Sequence, residues 1–202
     1  MKKIGRFTLG LALIFILTAC GPKVVTWQEE AKQADGSMLL LTRTIRMGGG
    51  SEIGQSAPVA AESIQFTHPK TGKIIVWNSI NDPYLLADPL LIQLEGDRVF
   101  VLLTPRSCGS WLRYGKPSPA FVLQVQQEGG VKHEDTGHLP EKYRYMNLIF
   151  HPKNELRLER IQQHKGLINW SEVDGINRSH LDGDNLKLLN VDYSYNFENC
   201  ER

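Results

Sequence analysis

The stretch LLIQLEGDRVFVLLTP, residues 90–105, decides the fold class. Gly96-Asp97 stands between two runs rich in strand-forming residues, the signal of a tight hairpin turn. The second run, Val99 to Leu103, is apolar at every position instead of alternating. That pattern belongs to a central strand covered on both faces.

The same punctuation recurs outward from this hairpin. Upstream, NDPYLLADP carries two prolines and two aspartates, so residues 81–89 read as a loop. SIQFTHPKTGKIIVWNS, residues 63–79, reads as a hairpin turning at Thr71-Gly72, with Ile64 and Phe66 on one face. Residues 48–63 are rich in Gly, Ser and Ala without apolar period and read as a loop. Residues 24–47 read as two strands around Asp35-Gly36.

Downstream, residues 105–119 read as irregular. Phe121, Leu123 and Val125 then alternate against Gln124 and Gln126 before a turn at Gly129-Gly130. Residues 145–150 could pair with 155–161, although 155–165 contain good helix formers and the pattern does not separate the two states. Ser171 with Asp174 three positions on suggests a short helix over 171–177, kept brief by Gly175. Residues 185–197 read as a closing strand.

The sum is roughly eight to eleven short strands joined mainly by tight turns, with no alternation of strands and long helices. The expected fold class is mainly β, an antiparallel β-sandwich or partly open barrel built from hairpins, with at most one or two short helices. Irregular hairpin spacing and the lack of an internal repeat argue against a propeller.

The N-terminus has a different character. Lys2, Lys3 and Arg6 precede an apolar run, Phe7 to Leu17, which is too short to span a bilayer core of about 30 Å. The run ends Leu17-Thr18-Ala19-Cys20. This resembles the lipobox of bacterial lipoproteins, a large apolar residue and two small ones before an obligatory cysteine. The resemblance implies a lipoprotein signal peptide over 1–19 and cleavage before Cys20. It also implies lipidation of Cys20 on sulfur and amino group (palmitate among the acyl chains). A lipidated tether, 20–24, would lead into a single domain, 25–202. Gly21, where Asp would signal inner-membrane retention, implies the outer membrane, with the domain in the periplasm. Residues 26–52, TWQEEAKQADGSMLLLTRTIRMGGGSE, are similar to the start of uncharacterised proteobacterial lipoproteins, in which a WxE strand, a DG turn and an Arg-ending strand precede a Gly-rich loop. That likeness implies no activity.

Cleavage would take three of the 23 basic residues and none of the 22 acidic ones, leaving 20 against 22 and a formal charge of −2. Charges are interspersed, with no concentrated positive face for nucleic acid and no polybasic membrane patch. With Cys20 taken by lipid, Cys108 and Cys200 remain, an even pair that reads as a disulfide in an exported chain. The alternatives are two free thiols or a nucleophilic Cys108, but no His stands at a diagnostic spacing from it.

Catalytic and ligand motifs are weak. His133 and His138 flank Glu134-Asp135 in KHEDTGH, a candidate metal site whose plainer reading is a polar loop after a strand. Glu29-Glu30 and Glu134-Asp135 are adjacent and point to opposite faces of any strand, which suits solvated edge positions better than a shared acid/base pair. No cofactor motif is present, since Gly72-Lys73 lacks the P-loop frame and LDGDN lacks the calcium-loop spacing. Trp111 and Tyr114 lie beside Cys108, and Tyr193 and Tyr195 lie just before Cys200. A disulfide would bring these groups together, either as packing around the bridge or as an aromatic patch for glycan or protein. The function expected is a membrane-anchored, non-enzymatic binding or scaffolding lipoprotein acting on another envelope component. A small hydrolase of glycan or peptide, or a barrel for a small apolar ligand, are the alternatives.

Overall fold

The computed structural model describes residues 23–48, 59–79, 87–116, 122–127, 130–134, 143, 145–149, 161, 163–164, 166–178 and 200. The lipobox, His138, Tyr193, Tyr195 and the expected closing strand 185–197 lie outside them.

Two sheets form a sandwich and do not close into a barrel. The first contains β1 (Val24–Lys32), β2 (Met38–Met47), β3 (Val59–Thr67), β4 (Ile74–Asn78) and the two-residue β9 (Leu167–Ile168), in the order β4-β3-β2-β1-β9. The second contains β5 (Ala87–Glu95), β6 (Arg98–Pro105), β7 (Val122–Gln127) and β8 (Gly130–Glu134), in chain order. Every pairing is antiparallel except β1 with β9.

The turns follow local chemistry. Asp35 Oδ1 accepts the backbone N–H (2.9 Å) and the hydroxyl (2.6 Å) of Ser37, and Gly36 takes the positive φ of +85° that a side chain would resist. Those two bonds to Ser37, hydroxyl first, hold the Asp35 carboxyl below its ordinary range.

The core sits between the sheets. Leu39, Leu41, Ile64, Phe66 and Trp77 from the first sheet meet Ile92, Val99, Val101 and Leu103 from the second. The other face of β6, Phe100 and Leu102, packs on Leu90, Val125, Tyr143 and Met146. The unbroken apolar run of β6 thus has the two-sided burial that its composition implies. Trp77 Nε1–H donates to Gln124 Oε1 across the sandwich at 2.9 Å.

Several boundaries differ from the sequence reading. Residues 87–89 are not loop but the start of β5, fully buried. Pro89 is accommodated because β5 is an edge strand and the ladder shifts register between Pro89 and Leu91. Residues 59–63 are not loop either, and they extend β3 along β2 across a register shift at Arg46/Met47.

The segment after β6 is not wholly irregular. It contains α1 (Cys108–Arg113), started by a reciprocal cap in which Ser107 Oγ accepts the Ser110 N–H and Ser110 Oγ accepts the Ser107 N–H. The second helix, α2 (Trp170–Arg178), runs past Gly175. Its cap is Asn169, not Ser171. Asn169 Oδ1 accepts the Glu172 N–H (3.2 Å), and Glu172 Oε2 accepts the Asn169 N–H (2.9 Å).

That backbone bond from Asn169, then the contact with His164, holds the Glu172 carboxyl below its ordinary 4.5. A depressed folded value stabilises above the unfolded pKa and is lost as pH falls through the folded one. The start of α2 is therefore expected to loosen on acidification below 4.5. An NMR titration of the Asn169 and Glu172 amides should show this in the wild type and a flat response in Glu172→Gln.

Candidate functional site

The alternation of β1 points Val25, Trp27, Glu29 and Ala31 inward, that of β2 points Leu39, Leu41, Arg43, Ile45 and Met47 inward, and that of β3 points Glu62, Ile64 and Phe66 inward. Each strand thus carries one charge on its apolar face. Arg43 stands opposite Trp27 on one side and Ile64 on the other. Glu29 and Glu62 are therefore its diagonal neighbours, within reach of a long side chain.

The three side chains are 0–1% exposed. Arg43 Nη1 donates to Glu29 Oε1 at 3.1 Å and to the Ile149 carbonyl at 2.7 Å. Arg43 Nε and Nη2 both donate to Glu62 Oε1. Glu29 Oε2 accepts the Trp27 indole N–H at 2.6 Å, and Glu29 Oε1 accepts the Ile149 N–H at 3.3 Å. The Arg43 guanidinium also lies 5.0 Å from the Trp27 ring centroid, in cation–π range. From Glu62 Oε2 the chain of charges crosses to Arg106 (3.2 Å), which pairs with Asp88 of the second sheet.

Burial alone would push the Arg43 guanidinium down. Glu62 and Glu29 outweigh it and hold the group above its ordinary value, always charged. Glu29 is thus not a solvated edge residue as its sequence neighbourhood suggests. Glu30 does point the other way, and its Oε2 accepts the Trp170 N–H at 2.9 Å.

This polar row separates the main core from a second apolar cluster of Val25, Trp27, Ile45, Met47, Ile149, Ile161, Ile168 and Val173. It also fixes the segment Tyr145–Ile149, which serves as a strap; residues 155–160 of its expected hairpin partner lie outside the described residues. The strap is held at Ile149 by Glu29 and Arg43, at the Leu148 carbonyl by Asn177 (2.9 Å), and at Asn147. Asn147 Nδ2 donates to the Lys32 (2.9 Å) and Ile92 (2.7 Å) carbonyls while its Oδ1 accepts the Ile92 N–H (2.8 Å). Gln33 adds donation to Ala31 and Ile92 and acceptance from Leu94. Every oxygen of Glu29 and Glu62 is occupied from within, and neither is offered to an outside molecule. The arrangement holds the two sheets and the strap in one register.

Cys108 and Cys200 are joined by a disulfide, Cα–Cα 5.3 Å, that closes 92 residues of chain. Cys108 opens α1, so the C-terminal end of the chain is fixed at this corner. Trp111 and Tyr114 are both half-buried here, and Tyr114 packs against the inter-sheet core. Burial raises its phenol. The other half of the expected aromatic patch, Tyr193 and Tyr195, lies outside the described residues, as does His138. The backbone of His133 is in β8, paired with Gln124, rather than in a loop after a strand. Among the described residues no group of three or more His, Cys, Asp and Glu side chains is disposed to hold a metal, and no helix is long and apolar enough to cross a membrane.

No family model, curated protein or solved structure matches the chain.

Proposed function

We propose that this chain is a lipid-anchored protein of the bacterial envelope whose β-sandwich is a non-enzymatic module for binding or scaffolding another envelope component. The observation that carries the reading is the Cys108–Cys200 disulfide in a chain whose first twenty residues end in the lipobox Leu17-Thr18-Ala19-Cys20. Disulfides persist where thiols are not kept reduced, which is the side of the membrane to which such a signal leads. One acyl chain binds only marginally and more than one anchors stably, so lipidation at both the sulfur and the amino group of Cys20 would hold the domain at the bilayer. Gly21 directs it to the outer membrane and the domain to the periplasm.

The sealed state of Glu29 and Glu62 favours a structural over a catalytic part for the strongest charge cluster. A hydrolase needs a carboxyl or imidazole within reach of the proton it moves on a bound substrate. The half-buried Trp111 and Tyr114 beside the disulfide are the side chains best suited to contact a glycan or protein partner.

Expression of wild type and Cys20→Ser, followed by fractionation and mass spectrometry of the mature N-terminus, tests the anchor. The wild type is expected in the membrane pellet with an acylated Cys20 at its N-terminus, and the variant unacylated and unprocessed at that site. Normal maturation and equal pelleting of the variant would overturn the reading.

A further inference from the structure

Strand alternation leaves the first sheet with an outer face as well as an inner one. Six of its outward side chains are large, apolar and exposed: Val24, Met38, Leu40, Ile74, Val76 and Leu167. Ile74 is 66% and Leu40 50% exposed. Met38 with Leu40 and Ile74 with Val76 are successive outward positions of their strands, and exposed apolar side chains gathered on one face mark a contact with something other than water. Between these side chains stand uncharged polar ones, among them Thr26 and Thr44, whose hydroxyls bond each other at 3.0 Å, and Gln65. The outward charges of β1 and β2 are Glu30, Lys32 and Arg46. Glu30 accepts the Trp170 N–H and keeps its charge, so with Lys32 and Arg46 the outward charges of these two strands sum to +1.

The chain enters this face directly from the tether. Cys20 precedes Lys23 by three residues, a reach of about 11 Å when fully extended, and Val24 is the first outward residue of β1. A sandwich standing on end would keep only Lys23 and Val24 near the bilayer. Leu40 and Met38, opposite Glu30 and Lys32 near the hairpin end of β1, would then be about 20 and 26 Å further off, in water. Lying flat buries all six apolar side chains at the interface and sets Lys32 and Arg46 at headgroup phosphates.

We propose that the outer face of the five-stranded sheet rests on the lipid surface to which Cys20 is tethered. The inference rests on the lipoprotein reading above. It leaves the second sheet and the α1 corner, with Trp111 and Tyr114, turned toward the periplasm.

The test uses full-length protein purified in its membrane form and reconstituted on vesicles of phosphatidylethanolamine and phosphatidylglycerol containing brominated acyl chains. A fluorophore is placed on Gln65→Cys, at the centre of the face, or on Asp97→Cys, at the β5–β6 turn of the other sheet, without reducing the disulfide. Both positions are exposed. The label at 65 is expected to be quenched several-fold more than the label at 97. Leu40→Glu with Val76→Glu, at two exposed positions, should leave flotation intact and abolish that difference. Flotation with equal quenching at the two sites would overturn the proposal while leaving the anchor standing, and would show the face free for a protein partner. Quenching at 65 that survives the two glutamates would also overturn it. Failure to float would remove the anchor and this inference together.

Discussion

Arg43→Met is expected to cost the domain about 3–5 kcal/mol, a fall in Tm on the order of 10 °C. Met keeps an unbranched apolar stem, so the main loss is the guanidinium with its charge and hydrogen bonds. The substitution strands Glu29 in the core without its cation and leaves Glu62 with Arg106 alone, and an uncompensated buried charge is far costlier than a missing contact. It also removes the donor to the Ile149 carbonyl and so frees one end of the strap.

A second variant separates this account from simple disruption of the core. Glu29→Gln, Arg43→Met and Glu62→Gln together remove the charge on both sides, and neutral groups of similar shape in place of a buried ion cluster are often tolerated. The triple variant should therefore lose less stability than Arg43→Met alone, although it changes two more buried residues. Urea melts at low and high salt complete the test, because buried pairs are little screened. A triple-variant loss as large as the sum of the separate losses would sink the idea that the cluster acts as one charge-balanced unit.

Opening the Cys108–Cys200 disulfide is the other large effect. Its loop spans 92 residues, and chain-entropy arithmetic for a loop of that size gives a ceiling of about 4–5 kcal/mol. The urea midpoint of the wild type should fall markedly in reductant. Cys108→Ser with Cys200→Ser should begin at the lower value and ignore reductant. The loss should be felt at the start of α1, since Cys108 is its first residue and Ser107 its cap. An unchanged midpoint on reduction would mean that the bridge contributes nothing to holding the domain closed.

The two variants probe different joints. Arg43 binds strands β1 to β3 to one another and, through Glu62 and Arg106, to Asp88 of the second sheet. The disulfide instead fixes the end of the chain to the helix that follows β6. Neither joint can replace the other, so losses from Arg43→Met and Cys200→Ser should add when combined.

The four hairpins β1–β2, β3–β4, β5–β6 and β7–β8 were legible in the sequence, because turns and strand alternation depend on neighbours. Asp35-Gly36, Thr71-Gly72 and Gly96-Asp97 have the turn chemistry a hairpin demands, and the unbroken apolar run Val99–Leu103 already implied burial on both faces. The even pair of cysteines left after Cys20 pointed to the bridge at Cys108 and Cys200. The charge cluster was not legible, since the sequence suggested a solvated edge for Glu29 and a loop for Glu62. In the folded strands Trp27 and Glu29 share a face of β1, and Glu29, Arg43 and Glu62 stand with alternating sign on the inner faces of β1, β2 and β3. Only the tertiary structure decided that this face was the inner one at those positions. Sequence spacing does not give the register that sets Arg43 diagonally between the two glutamates, nor the strap that brings Ile149 to Glu29 and Arg43 from more than a hundred residues away. Hydrogen-bond satisfaction of a buried ion is a property of what surrounds it in space, and the donors that make Glu29 tolerable in the core come from β1, β2 and the strap at once.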